Sequence, residues 1–359
     1  MHFNMGETYW IISVLALSFG TWAMTGLIRR YALRKGVMDI PNHRSSHSVP
    51  TPRGGGLSFV ILFNLFVLIY SVVARVSADM VVGFAGAGIV IALVGWLDDR
   101  EGLSARLRAL VHIIAAAWAV FWIGGLPEIN IGFCTLRLGF VGSVLAVVGI
   151  VWLINLYNFM DGIDGISGSE AVTVAVFGGL LSLLADNHPI AHFSFALAVS
   201  VGGFLIWNWP PAKIFMGDVG SGFLGFTFAY IALVSEKTGG LPLIIWLMLL
   251  SVFIVDATST VIRRALSREK LYEAHRSHVY QLAVQAGYSH KQVTARVIFM
   301  NVCLAVIALV ATIFQRFLLP LCIVVYGSLL LLYLRLYVEW ADGNIIMSKT
   351  NVKQDINTS

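Results

Sequence analysis

This sequence predicts an all-α polytopic membrane protein, with about eleven transmembrane helices and an active site on the cytoplasmic face. Three observations predict it. Hydrophobic residues make up 58% of the 359 positions and charged residues only 12%. The mean hydropathy of +0.83 lies far outside the range of water-soluble chains. Apolar runs recur along the whole chain and repeatedly approach the ~20 residues needed to cross a bilayer.

The first run, about 8–28, has no Lys or Arg before it and is followed by Arg29, Arg30, Arg34 and Lys35. That order reverses a cleavable signal peptide, so the run reads as an uncleaved anchor with its N-terminus outside. A hydrophilic stretch separates it from runs at about 57–75 and 80–97, the latter ending in Asp98 and Asp99. Runs at about 107–123 and 139–157 follow, and the fifth leads into NLYNFMDGIDG, residues 155–165. The sixth and seventh, about 171–185 and 190–207, precede PAKIFMGDVGSG, which leads into the eighth at about 222–235. The ninth, about 241–262, ends in a basic loop at 263–296, and runs at about 297–314 and 317–337 complete the set. An odd number of spans places the C-terminus in the cytoplasm. Residues 1–341 are expected to form one transmembrane domain, and 342–359 read as a polar cytoplasmic tail expected to be disordered.

The cationic residues agree with this topology. Of 24 Lys and Arg, all but Arg75, Arg137, Lys237 and Arg316 fall on the cytoplasmic face, a strong positive-inside bias. The net charge of +5 is thus concentrated on one face, where it suits anionic headgroups or phosphorylated substrates. No folded basic domain is present to mark nucleic-acid binding. Cys134, Cys303 and Cys322 are scattered, with no spacing that suggests a disulfide framework or a zinc site.

The same topology brings the rare polar side chains to one face: Asp98, Asp99, Asp161, Asp164, Asp218, His275 and His278. Within NLYNFMDGIDG, Asn155, Asn158, Asp161 and Asp164 recur every third residue. Each such step falls ~60° short of a helical turn, so the four line up only if the backbone tightens or breaks near Gly162 and Gly165. Interfacial carboxylates are costly and usually line a cavity. The competing reading is that both Asp merely cap the next helix, helped by Ser167 and Ser169. Asp98 and Asp99 diverge by ~100° on a helix and so do different jobs, unless they are only a polar helix end with Arg100 as partner. Asp218, flanked by glycines before a span, can reach a hard cation such as Mg²⁺ while the amides of the next turn face a phosphate. Plain N-capping by Asp218 or Ser221 is the alternative. The 263–296 loop holds seven basic residues and three histidines, enough to fix topology or to handle phosphate. HRSSHSVPTPRGGG, residues 43–56, adds a turn that brings Arg53 close to this face.

Together, NLYNFMDGIDGISG, PAKIFMGDVGSG, the LDD after the third span and the His-containing last loop resemble the polyprenyl-phosphate N-acetylhexosamine-1-phosphate transferase family. This family includes the enzymes that initiate O-antigen and enterobacterial common antigen, and phospho-MurNAc-pentapeptide translocase. The match runs from about Pro50 to Gln292 in the family's order. The resemblance implies a Mg²⁺-dependent enzyme, with Mn²⁺ as an alternative metal, in a bacterial inner membrane. It would transfer sugar-1-phosphate from a UDP-N-acetylhexosamine to undecaprenyl phosphate, release UMP and start lipopolysaccharide O-antigen or a related envelope glycan. Its partners would be these two substrates and the lipid bilayer, with a homodimer compatible and no nucleic acid.

By that resemblance Asp218 is the principal Mg²⁺ ligand and Asn158 a second. Asp161, Gly162, Ile163, Asp164 and Phe215 hold the uridine part, and Asn155 counts among the substrate-binding residues. Asp98 activates the lipid phosphate with Asp99 in support. Arg53, Arg276 and His278 grip phosphate or sugar. The sequence departs from the translocase branch: His275 and His278 are separated by Arg276 and Ser277 where that branch carries a run of histidines, and no lysine precedes Pro50 and Thr51. Both departures favour a smaller UDP-N-acetylhexosamine. The rival reading from another class is an ion-coupled transporter with a carboxylate-lined pathway, which predicts acids near the bilayer midplane and internal symmetry.

Overall fold

The computed structural model describes residues 5–41, 46–270 and 275–357. The first three positions of the 43–56 motif and residues 271–274 of the basic loop lie outside these. In chain order the helices are α1 (Met5–Lys35), α2 (Leu57–Val73), α3 (Ala78–Glu101), α4 (Ala105–Ile123), α5 (Gly139–Met160), α6 (Ile166–Leu184) and α7 (His188–Asn208). They continue with α8 (Asp218–Lys237), α9 (Leu243–Leu249), α10 (Ser251–Leu266), α11 (Val279–Gln285), α12 (His290–Ile313) and α13 (Leu318–Asn357). The bounds of α13 take in the polar segment after Asp342. Two small hairpins complete the fold: β1 (Met38–Asp39) with β2 (Thr51–Pro52), and β3 (Ile129–Asn130) with β4 (Thr135–Leu136).

All eleven apolar runs are helical, but they differ in kind. Among the described residues nine helices are long and apolar enough to cross a membrane on their own. The ninth run is broken, because α9 and α10 bend by 76° at Leu250, where Ser251 Oγ donates to Met248 O at 2.6 Å. The second, α2, is a shorter apolar helix of 17 residues. The protein is therefore a multi-pass membrane protein built almost wholly of helices.

The core is organised around α8, which is buried along its length from Val219 to Ser235. Helices in lipid gain nothing by hiding oil from oil, so the helix placed innermost is the one that packs most closely. α8 supplies Gly220 and Gly225 for close approach and Phe223, Phe226 and Phe228 for filling. Phe84 of α3 meets Phe223 edge-on at 6.0 Å and stacks on Phe226 at 5.6 Å. Outward-facing side chains such as Phe140 (84% exposed) and Val72 (81%) are the ones lipid would cover.

At one end of the bundle the loop after β2 fastens to the segment before α8. Phe215 N donates to Pro52 O at 2.8 Å, while Gly55 N and Gly56 N donate to Phe215 O and Met216 O, each at 2.9 Å. These bonds satisfy main-chain groups that would otherwise be buried without partners. They also carry Arg53 to the head of α8.

Candidate active site

A polar cavity of about 420 Å³ opens at this end of the bundle. Its walls come from the loop bearing His47 and Arg53, the end of α3, the α5–α6 turn, the head of α8, and the start of α12. Two apolar grooves reach the same end. One, about 290 Å³ between α1 and α3, shares Arg53 and Asp99 with the cavity. The other, about 320 Å³ beside α10, passes Met160, Asp256 and Tyr280.

The head of α8 is set by Gly217, which has φ +77°. A Cβ there would sit 2.4 Å from Asp99 Oδ2, so only glycine lets Asp99 approach. Gly95 of α3 serves the same approach, since a Cβ on it would lie 2.5 Å from Asp218 O. Asp99 accepts from Asp218 N at 3.0 Å and from Val219 N at 3.3 Å. The carboxylate that caps α8 is therefore Asp99, rather than Asp218 or Ser221. Arg53 completes the unit, donating to Asp99 Oδ1 from Nη2 at 2.6 Å and from Nε at 3.1 Å. Burial alone would lower the Arg53 pKa, yet the Asp99 charge beside it raises it above its ordinary value.

With its backbone held by Asp99, Asp218 is free to present its carboxylate to the cavity. Arg108 of α4 reaches it: Nη1 stands 3.1 Å from Asp218 Oδ2 and 2.5 Å from Asp98 Oδ2. Asp98 Oδ1 accepts from Leu103 N at 2.6 Å, so both its oxygens are engaged. Arg100 is not its partner; it donates to Tyr31 OH at 2.8 Å and lies over the Trp96 ring at 4.4 Å.

Between α5 and α6 the chain leaves the helix at Asp161 and re-enters at Ile166. The carboxylates at 161 and 164 do not cap α6, whose first turn has no side-chain cap. Asp164 is a strut: Oδ2 accepts from Ala212 N at 3.0 Å and lies 3.3 Å from His290 Nδ1, while its carbonyl accepts from Thr294 Oγ1 at 3.1 Å. Asn208 pins the same turn, accepting from Gly165 N and donating to Ile214 O, each at 3.0 Å. Burial alone would raise the Asp164 carboxyl, but His290 and the Ala212 amide hold it below the usual carboxylate range. Burial, together with the charges of Asp218 and Asp99, pushes the Asp161 carboxyl well above that range.

Asn158 faces Asp218 from α5, its Nδ2 donating to Ser221 Oγ at 3.3 Å. Among the described residues no three His, Cys, Asp or Glu side chains converge into a ready metal cage. Among the described residues three carboxylates, Asp98, Asp99 and Asp218, form ion pairs with two guanidiniums, Arg53 and Arg108, so the cluster has room for further positive charge. That donor set fits a hard divalent cation held by one carboxylate, an amide oxygen and substrate oxygens.

The sequence compares with known proteins on the same segments. Residues 81–236 match the model of glycosyl transferase family 4. The chain is 30% identical over 317 residues to an undecaprenyl-phosphate α-N-acetylglucosaminyl 1-phosphate transferase of Haemophilus influenzae, covering 85% of this chain and 87% of that one. The chain belongs to glycosyl transferase family 4. It is 28% identical over 272 residues, 75% of each chain, to a probable undecaprenyl-phosphate N-acetylglucosaminyl 1-phosphate transferase of Bacillus subtilis. It is also 30% identical over 309 residues to a decaprenyl-phosphate N-acetylglucosaminephosphotransferase of Mycolicibacterium smegmatis, covering 76% of this chain and 74% of that one. The protein is thus a membrane phosphotransferase of the polyprenyl-phosphate N-acetylhexosamine-1-phosphate transferase type.

The transferase brings Arg53, Asp99, Asn158, Asp161, Gly162, Ile163, Asp164, Phe215 and Asp218 to one cavity. Asp98 is not among the lining residues, and Arg108 links it to Asp218. Asn155 lies one helical turn back from Asn158, its Nδ2 donating to Val151 O at 2.7 Å. His278 is buried at 2% exposure, with Nδ1 3.3 Å from Asp256 Oδ1, and neither it nor Arg276 lines the cavity. Burial and the neighbouring His278 push the His275 imidazole down to about 4, so it is neutral near pH 7. The basic loop region instead contributes Gln281 and His290 to the cavity wall. Arg108, His290, Asn208 and Asp256 were not singled out from the sequence. The only signal for Arg108 is its place at the start of a span on the same predicted face as Asp98. Asp256 is an acid inside an apolar run, and its role appears only when α10 bends and it accepts from Val279 N at 3.0 Å and Tyr280 N at 3.2 Å.

Proposed function

We propose that this transferase moves N-acetylhexosamine-1-phosphate from a UDP-sugar to undecaprenyl phosphate, releasing UMP at the cytoplasmic face of a bacterial inner membrane. Its product, a polyprenyl-diphosphate-sugar, would start O-antigen or a related envelope glycan. The observation that carries the reading is the meeting of Asp218, Asn158, the Asp161–Asp164 turn and Arg53 in a single cavity. The names of the relatives support the acceptor and the N-acetylglucosamine class. The cytoplasmic placement rests on the Lys and Arg bias, since the cavity lies at the end that carries most of them.

The chemistry asks little of a base. A lipid-phosphate oxygen forms a bond to the sugar-linked β-phosphorus as that phosphorus loses its bond to the bridging oxygen, and the electron pair departs with UMP. A phosphate monoester is already anionic near pH 7, so proton removal adds less than it does for a hydroxyl nucleophile. The larger obstacle is repulsion between the two phosphate groups. Asp218 and Asn158 would hold Mg²⁺, or alternatively Mn²⁺, which supplies positive charge to the diphosphate oxygens. Arg53 is placed to fork onto a phosphate from the loop side, and Arg108 to do so from α4. Phe215 and the Asp161–Asp164 turn take the uridine part. One phosphoanhydride is broken and one formed, so the step lies near equilibrium.

The test is to incubate purified protein, Mg²⁺ and undecaprenyl phosphate with a panel of UDP-N-acetylhexosamines and measure UMP release. Turnover with at least one donor, and exchange of labelled UMP back into that donor, is the expected result. Silence across the panel overturns the reading.

A further inference from the structure

Glu170 lies on α6 just past the Asp161–Gly165 turn, and it is fully buried inside a membrane-spanning helix. Asn301 of α12 faces it, 2% exposed. Asn301 Nδ2 donates to Glu170 Oε2 at 2.6 Å and to Thr173 Oγ1 at 2.8 Å, which uses both amide protons. Thr173 Oγ1 is within bonding distance of the carbonyls of Ser169, at 2.9 Å, and Glu170, at 3.0 Å. No Lys, Arg or His among the described residues forms an ion pair with Glu170.

Two acceptor atoms in this cluster are left without a partner, Glu170 Oε1 and Asn301 Oδ1. They belong to the very groups already joined through Oε2 and Nδ2. An ionised carboxylate in such a place, without a cation, is strongly disfavoured. One proton on Oε1 would let Oε1–H donate to Asn301 Oδ1, which would supply both orphans with a partner and close a cyclic acid–amide pair.

We propose that Glu170 is a neutral carboxylic acid locked to Asn301 in this cyclic pair, and that the pair positions the nucleotide-binding turn. The second half rests on the donor-binding reading above. α6 starts directly behind the turn, and α12 holds the turn through His290 and Thr294. Thr294 and Asn301 are about two helical turns apart on one face of α12. The pair therefore fixes the register of α6 against α12, and with it the place of Asp164.

Glutamine is the shape of the protonated acid, with Nε2–H where the acid has O–H. E170Q is expected to keep its melting temperature within about 2 °C of wild type and its donor KM within about twofold. E170A and N301L are expected to raise donor KM at least about fivefold, with kcat and lipid KM changed less than about threefold. The infrared difference spectrum of wild type minus E170Q should show the carbonyl stretch of one protonated carboxyl. E170Q falling as low as E170A in melting temperature and donor KM, or the absence of that band, overturns the proposal. If E170A does not fold, E170Q against wild type decides. If wild type releases no UMP, the donor reading fails, while the melting comparison and the infrared band still decide the state of Glu170.

Discussion

Arg108 Nη1 lies 3.1 Å from Asp218 Oδ2, joining two residues 110 positions apart, and the same nitrogen lies 2.5 Å from Asp98 Oδ2. One guanidinium therefore bridges the two carboxylates to which the family resemblance gives separate roles, activating the lipid phosphate and binding the metal.

Arg108→Gln is expected to lower kcat about 10²-fold, as loss of a charged donor to a reacting phosphate does. Asp98→Asn is expected to keep nucleotide binding yet lose most turnover. If Asp98 works by holding Arg108, the double variant is no worse than the poorer single one. UMP-release kinetics on the three variants checks this, and near-normal turnover in Asp98→Asn would remove Asp98 from the mechanism.

Arg53→Ala leaves the Asp99 carboxylate, 3% exposed, without its cation while Asp99 still caps α8. Breaking a buried pair from one side costs on the order of 3 kcal/mol. A lower melting temperature in detergent, together with weakened donor binding, is the expected outcome. An unchanged melting curve would show that the pair is not needed to hold the head of α8.

The Asp164 carboxyl is held below its ordinary range in the folded chain, so its contribution to stability is present above the unfolded value, ~3.9, and is lost as pH falls through the depressed folded value. The gap in melting temperature between wild type and Asp164→Asn should narrow as pH falls below about 4, where the carboxylate becomes protonated. A gap that does not narrow at the acid end would contradict an ionised Asp164 carboxylate held by His290 and the Ala212 amide.

Chelation should abolish UMP release, and added Mg²⁺ should restore it. Asp218→Asn should raise the Mg²⁺ concentration needed for half-maximal rate at least about tenfold, since one carboxylate carries most of the protein's share of a Mg²⁺ shell. Full activity in the presence of a strong chelator would exclude a divalent cation at this site.

The helices were legible because burial in lipid demands long apolar runs, a local property that composition shows directly. The break in NLYNFMDGIDG was legible too, since a three-residue spacing does not fit a continuous helix and the chain does leave it at Asp161. Other parts of the site had no local mark. Arg108 and His290 stand at the starts of ordinary helices and gain meaning only from Asp218 and Asp164, far away in the chain. The last loop shows that residue type does not say which histidine faces the cavity: His278 turns under Asp256, while His290, with Gln281, reaches the cavity wall.

By itself, then, the sequence determined that this chain is a helical membrane protein with its acids gathered at one end, because hydropathy and charge act residue by residue. Tertiary structure alone decided the division of labour among those acids. Asp99 became the cap of α8 and Asp218 the carboxylate that faces the cavity because Gly95 and Gly217 let α3 pass close to the α8 backbone, a contact that depends on where two distant helices cross.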